Sequence, residues 1–165
     1  MNAIVSVTKD WGIGREGKLL VRNKADMQRF VKLTMGGTVV MGRKTFESFP
    51  GGALKGRKNL VITHDKNYAA PGIETVGSVD EARAYIEALE PESVWLIGGQ
   101  SIYEELLPFC TAAYVTFHET VMPADAFFPN LENDPTWVRA QVEEGGITAA
   151  GIPFSYITYT RTKAS

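Results

Sequence analysis

Short apolar runs alternate with segments of helical period along almost the whole chain, and this alternation limits the possible folds more than any other feature. Ala3 to Thr8 reads as a buried strand. Lys24 to Met35 reads as a helix with Met27, Phe30, Val31 and Thr34 on one face. Thr38 to Met41 is a second strand, Arg43 to Phe49 a short helix and Asn59 to Thr63 a third strand. Ile73 to Val76 is a short strand, followed by a helix from Val79 to Leu89 with Ser78 at its cap and Glu81 three residues on. Ser93 to Ile97, Gln100 to Leu107 and Ala113 to His118 continue as strand, helix, strand. Trp137 to Glu143 and Pro153 to Thr162 are rich in β-formers and read as an antiparallel pair, with Glu144-Gly145-Gly146 as the turn between them. The order predicts an α/β three-layer sandwich. Its central sheet is mostly parallel, helices cover both faces, and antiparallel C-terminal strands form one edge. With no repeat and no Pro/Gly/Ser linker, residues 1–165 are expected to form a single domain.

Composition narrows the function classes. A net charge of -2 argues against general nucleic-acid binding, which requires a basic surface. The single cysteine, Cys110, forms no internal disulfide and suits a reducing compartment. His64 and His118 are the only histidines, and no His/Cys cluster has zinc spacing, so no metal is expected. The sequence contains no apolar run of membrane length and starts without a basic signal-like stretch, which points to a cytoplasmic protein with no membrane partner.

In open α/β sheets ligands bind beyond the carboxyl ends of the parallel strands. Four sequences fall there. They are the loop Lys9 to Asn23 with Gly12, Gly14 and Gly17, then Gly42-Arg43-Lys44-Thr45, then Thr63-His64, and Gly98-Gly99-Gln100-Ser101. Two glycines opening a helix either make a tight turn or let backbone amides approach a phosphate. Two cations at a helix start oppose the dipole and gain little structurally, which favours an anionic ligand beside Arg43 and Lys44. Asp26, in a first turn, complements the helix dipole by default. It also stacks four residues before Phe30, on the core side, where a carboxyl has a raised pKa and can manage a proton near neutrality. Arg57 is either a solvated member of a basic tetrad or a fork that grips a carboxylate.

The residues, taken in order, resemble the dihydrofolate reductase family. The matching pieces are Trp11-Gly12-Ile13-Gly14, Ala25-Asp26-Met27 with Phe30, Val40 to Ser48, Leu54, Gly56-Arg57-Lys58-Asn59, Ile97-Gly98-Gly99, Ile102-Tyr103, Tyr114 to Thr116, and Asp125 to Pro129. The resemblance implies the family's α/β fold and NADPH-dependent reduction of 7,8-dihydrofolate to tetrahydrofolate. In that reaction hydride passes to the pterin and the adjacent ring nitrogen is protonated. It further implies that Asp26 holds the pterin and promotes protonation, paired with Thr116. Val5, Met27, Phe30 and Leu54 would contact the pterin and benzoyl groups, and Arg57 the glutamate carboxylate. Gly42, Arg43, Lys44, Thr45, Thr63 and His64 would surround the adenine-ribose phosphate. Ile97, Gly98, Gly99, Gln100, Ser101, Ile102 and Tyr103 would hold the pyrophosphate and nicotinamide side, where the family has a cis Gly-Gly peptide. Ser6 would contact the nicotinamide amide. Ile13, Gly14 and Leu19 would belong to a mobile loop closing over the nicotinamide, and a monomer is implied. The sequence departs from the family where Leu20 and Val21 replace a usual Pro-Trp, and where Lys24 replaces a proline. Two alternatives are a pyrimidine-sugar reductase of the same fold and a non-catalytic pterin- or nucleotide-binding protein.

Overall fold

The computed structural model describes residues 1–162. In chain order the strands and helices are β1 (Asn2–Val7), β2 (Gly12–Arg15), β3 (Lys18–Leu19), α1 (Lys24–Thr34), β4 (Thr38–Gly42), α2 (Arg43–Glu47) and β5 (Lys58–Ile62). There follow β6 (Ile73–Val76), α3 (Val79–Glu87), β7 (Val94–Gly98), α4 (Gln100–Leu106), β8 (Ala112–His118), β9 (Ala126–Phe127), β10 (Trp137–Ile147) and β11 (Pro153–Arg161). Eight strands form one sheet in the order β10-β11-β8-β1-β7-β4-β5-β6. The six strands from β8 to β6 run parallel, and β11 and β10 add the antiparallel edge. The expected sandwich is therefore the observed one.

Parallel strands are covered on both faces, so they read as continuous apolar runs whose side chains alternate between two layers. Ala3, Val5 and Val7 pack with Leu96, Ile102 and Leu106 against α3 and α4. Ile4, Val39, Met41, Val61 and Trp95 pack with Phe46 of α2 and with Phe30 and Leu33 of α1. Ser78 caps α3 as expected, accepting from the Glu81 amide at 3.0 Å, while the Glu81 carboxylate reaches back to the Gly77 amide at 2.7 Å.

Three expectations change. The apolar face of α1 is not Met27, Phe30, Val31 and Thr34. Thr34 is buried and Phe30 and Leu33 half-buried, whereas Met27 and Val31 are exposed. The stripe runs 26, 30, 33, 34, the true i, i+4, i+7, i+8 row. Second, Glu144-Gly145-Gly146 is not the turn. β10 continues through it to Ile147 with a bulge between Glu144 and Gly146. Gly145 lies against the Phe154 ring, where a Cβ would collide, so close approach rather than chain reversal demands the glycine. The reversal occurs at Thr148 to Ile152, where the Thr148 amide donates to the Ile152 carbonyl at 2.9 Å. Third, the Lys9 to Asn23 loop contains β2 and β3, which form a three-stranded sheet with β9 in the order β3-β2-β9. Trp11 anchors it at φ 64, stacked 6.2 Å from Phe128, with its carbonyl accepting the Phe128 amide at 2.9 Å. No helix of the described residues is long and apolar enough to cross a membrane.

Candidate active site

Asn23 starts α1. Its backbone is extended, and its side-chain oxygen accepts the Asp26 amide at 3.1 Å, satisfying one of the unpaired first-turn donors. This turn carries Asp26 to the carboxyl end of the sheet, where the Thr116 hydroxyl donates to Asp26 Oδ1 at 2.6 Å. Register places Thr116 beside Ser6 on β1 and Tyr156 on β11, so these residues share one face of the sheet. Burial pushes the Asp26 carboxyl above its usual range. The Thr116 hydrogen bond, the Arg29 charge and, whenever it is protonated, His118 oppose the rise without cancelling it.

From Asp26, α1 acts as a ruler. Thr34 is eight residues further on, which at the helical rise is roughly 12 Å. There the Thr34 hydroxyl accepts Arg57 Nη1 at 3.1 Å and donates to the Phe30 carbonyl at 2.8 Å. Arg57 Nε donates to the Lys55 carbonyl at 2.9 Å. Partial burial lowers the Arg57 pKa from its ordinary value. Phe30 and Leu54, both half-buried, pack in the same apolar cluster between the two polar ends. A surface depression lies at the amino ends of β4, β5 and β7, lined by Thr38, Lys58, Glu90 and Ser93, with Arg57 on its wall.

Across the sheet, β4 and β7 are parallel neighbours, so α2 and α4 begin side by side. Their N-caps, Gly42 and Gly99, supply no capping side chain, which leaves first-turn amides available to an anion. The Gly98–Gly99 peptide is cis, and Gly98 sits at φ +132, a backbone that side chains rarely adopt. A Cβ on either glycine would lie 3.3–3.4 Å from the Thr45 hydroxyl, and one on Gly42 would lie 3.1 Å from Ile102. Two open helix starts lined by glycine and threonine fit the pyrophosphate of a dinucleotide. Beside them, Arg43 lies 3.5 Å from Glu47, 3.4 Å from Asp65 and 4.1 Å from the Tyr68 ring centre. Lys44 and His64 are exposed, and the Thr63 hydroxyl accepts the Asp65 amide at 3.2 Å.

The sequence profile of a family described as dihydrofolate reductase matches residues 1–161. The chain belongs to the dihydrofolate reductase family. A dihydrofolate reductase of Mycobacterium leprae is 38% identical over 155 residues, covering 91% of each chain. One from Neisseria gonorrhoeae is 36% identical over 134 residues, covering 81% of each. Among solved structures, the dihydrofolate reductase from Enterococcus faecalis complexed with NADP(H) and RAB-propyl has a TM-score of 0.89 at 31% identity. That match covers 98% of this chain and 96% of the other.

Against this family framework, the anticipated residues fall into three groups. Asp26, Thr116, Phe30, Leu54, Arg57 and Ser6 lie on the α1 side of the sheet, and Met27 is exposed on the same helix. Gly42, Thr45, Gly98, Gly99, Ile97 and the exposed Ser101 gather at the two helix starts. The third group has other partners. Strand alternation turns the Val5 side chain into the α3/α4 layer, and Ile4 takes the place beside Phe30. The Tyr103 hydroxyl donates to the Ile4 carbonyl at 2.7 Å inside the core, and burial drives its pKa up. Gln100 accepts the Phe127 amide at 2.8 Å and donates to Glu104 at 3.1 Å, tying α4 to the small sheet. Ile102 is buried against the core. Of the anticipated closing loop, Ile13 packs on the core, Gly14 pairs with Ala126 and Leu19, and Leu19 is 67% exposed on the return strand of the hairpin.

Two positions received no role from the sequence. Asn59, buried at the start of β5, accepts the Leu54 amide at 2.9 Å and donates to the Leu54 and Arg57 carbonyls at 3.0 Å each. A polar residue opening an apolar strand was the available signal. His118 is fully buried, with Asn23 Nδ2 at 3.1 Å from its Nε2, and nothing in its local sequence marked that pairing.

Proposed function

We propose that this chain reduces 7,8-dihydrofolate to 5,6,7,8-tetrahydrofolate with NADPH, using the groove along α1 for the folate and the paired starts of α2 and α4 for the dinucleotide. The single observation that carries the residue assignment is the 2.6 Å hydrogen bond from Thr116 to a half-buried Asp26 at the rim shared by both sites. The dinucleotide, when bound, supplies the hydride. A C=N bond of the pterin becomes CH–NH, so one hydride goes to carbon and one proton to the adjacent nitrogen.

The residues of the chain manage placement and that proton. Because Thr116 donates to Asp26 Oδ1, Oδ2 remains to accept from the pterin amino group and ring nitrogen. Burial keeps the carboxyl's proton affinity high enough to raise the basicity of the ring it touches, and water delivers the proton. Phe30 and Leu54 exclude solvent along the groove, and Arg57 meets the glutamate carboxylate at its far end. Arg43 and Lys44 stand where the ribose phosphate of NADPH would bind. Leu19 lies on the arm that would cover the nicotinamide, with Gly14 and Ile13 at its base. The reading includes a single domain over residues 1–165, a monomer and a cytoplasmic location.

The decisive assay follows NADPH absorbance with dihydrofolate added. Rapid consumption supports the reading, and binding without turnover supports a carrier instead. Asp26→Asn should slow the reaction near neutral pH and recover partly in acid. An unchanged pH–rate profile would remove Asp26 from the mechanism.

A further inference from the structure

His118 is fully buried, Asn23 is 5% exposed, and the two are 95 residues apart in sequence, yet they form one chain of hydrogen bonds with the helix that carries Asp26. The chain fixes its own protons. The Asp26 amide needs an acceptor, so Asn23 presents Oδ1 to it at 3.1 Å. That leaves Asn23 Nδ2, a donor only, facing His118 Nε2 at 3.1 Å. Nε2 must then be unprotonated and Nδ1 must carry the hydrogen, donated to the Val7 carbonyl at 3.1 Å with the Ser6 hydroxyl 3.5 Å away. Every polar atom of the ring is matched only while the ring is neutral.

We infer that His118 is a positioning residue for Asp26: its neutral, Nδ1-protonated ring holds Asn23 in the orientation that caps α1, and protonation of the ring releases that grip. A proton on Nε2 would set donor against donor. The bond to Asn23 then breaks, or the amide turns over and loses the Asp26 amide as its partner. Either way the first turn of α1, which carries the carboxylate, loses its anchor. The ring is held neutral chiefly by burial, against the Val7 carbonyl and the Asp26 charge, which favour the cation. Other titratable or charged groups on the surrounding elements include the exposed Arg22 and Lys24, which flank Asn23, Arg29 from α1, which lies 4.0 Å over the Tyr156 ring of β11, Tyr156 itself, and the Lys9–Glu119 ion pair beyond β8. This inference rests on the reading of Asp26 as the pterin-holding carboxylate.

The test combines a tautomer measurement with pH–rate profiles. Nitrogen-resolved NMR of the ¹⁵N-labelled protein is expected to show His118 with hydrogen on Nδ1 and a bare Nε2 at neutral pH. Hydrogen on Nε2 instead would overturn the inference. His118→Gln keeps an acceptor for Asn23 and cannot titrate. The ratio of its kcat to that of the parent should be flat above pH 7 and climb severalfold on acidification below the ordinary histidine value of about 6.5. A flat ratio throughout would overturn the inference. His118→Phe removes the acceptor and should lower kcat on the order of tenfold through displacement of the carboxylate, with the KM for NADPH within twofold. If the phenylalanine variant does not fold, the glutamine ratio and the tautomer still decide. In an Asp26→Asn background the glutamine ratio should become flat. Full activity of Asp26→Asn alone would instead indict the underlying reading of Asp26, and the tautomer measurement is independent of it.

Discussion

Arg57→Lys gives a quantitative test of the groove along α1. The guanidinium has five N–H donors, and two bonds hold it, one to Thr34 and one to the Lys55 carbonyl. Three donors remain in a fixed plane, which suits a carboxylate approaching along the helix. Lysine keeps the charge but loses the fork and the two holding bonds. Loss of one charge-assisted hydrogen bond is worth about 1.5–3 kcal/mol, which raises KM for dihydrofolate by roughly 10- to 150-fold. kcat should stay within about twofold, because Asp26 lies roughly 12 Å away along α1. The assay is steady-state turnover with two substrates, dihydrofolate and a pterin substrate truncated before the glutamate. The truncated substrate should show a KM unaffected by the mutation. Equal losses with both substrates, or no loss with either, would refute the assignment of Arg57 to the carboxylate.

Asp26→Asn should stabilise the ligand-free fold. A raised folded pKa means that ionising Asp26 costs stability, which is fully present below about pH 4 and lost as pH rises through the folded value. The variant's melting temperature should therefore exceed the parent's at pH 7, and the advantage should shrink toward pH 4; a lower melting temperature at pH 7 would contradict this. Tyr103→Phe removes the buried bond to the Ile4 carbonyl and should cost about 1–2 kcal/mol in urea unfolding, with the KM for NADPH changing less than twofold; a large KM change would place the hydroxyl at the cofactor instead. Asn59→Leu breaks three bonds to the Leu54–Arg57 segment and should destabilise by about 2–4 kcal/mol while raising KM for dihydrofolate; an unchanged KM would detach this segment from substrate binding. Exchanging NADPH for NADH should cut kcat/KM at least about tenfold, the value of one charge-assisted contact near Arg43 and Lys44, and equal efficiency would reject the phosphate reading.

The sequence determined the layers by itself. Apolar runs separated by helical periods leave a parallel sheet little alternative, because both of its faces must be covered. It also determined which residues gather at the carboxyl rim, since Gly42 and Gly98 end strands and Thr63 follows one directly. Only the tertiary structure decided three matters. It placed Val5 in the layer opposite Asp26 through strand alternation, and buried Tyr103 of α4 in that same layer, neither choice being set by residue type. It carried β10 through two glycines that resembled a turn, because Gly145 is needed where Phe154 presses on the strand. It also joined Asn23 to His118 across 95 residues, a hydrogen bond whose necessity arises only when both groups leave water together.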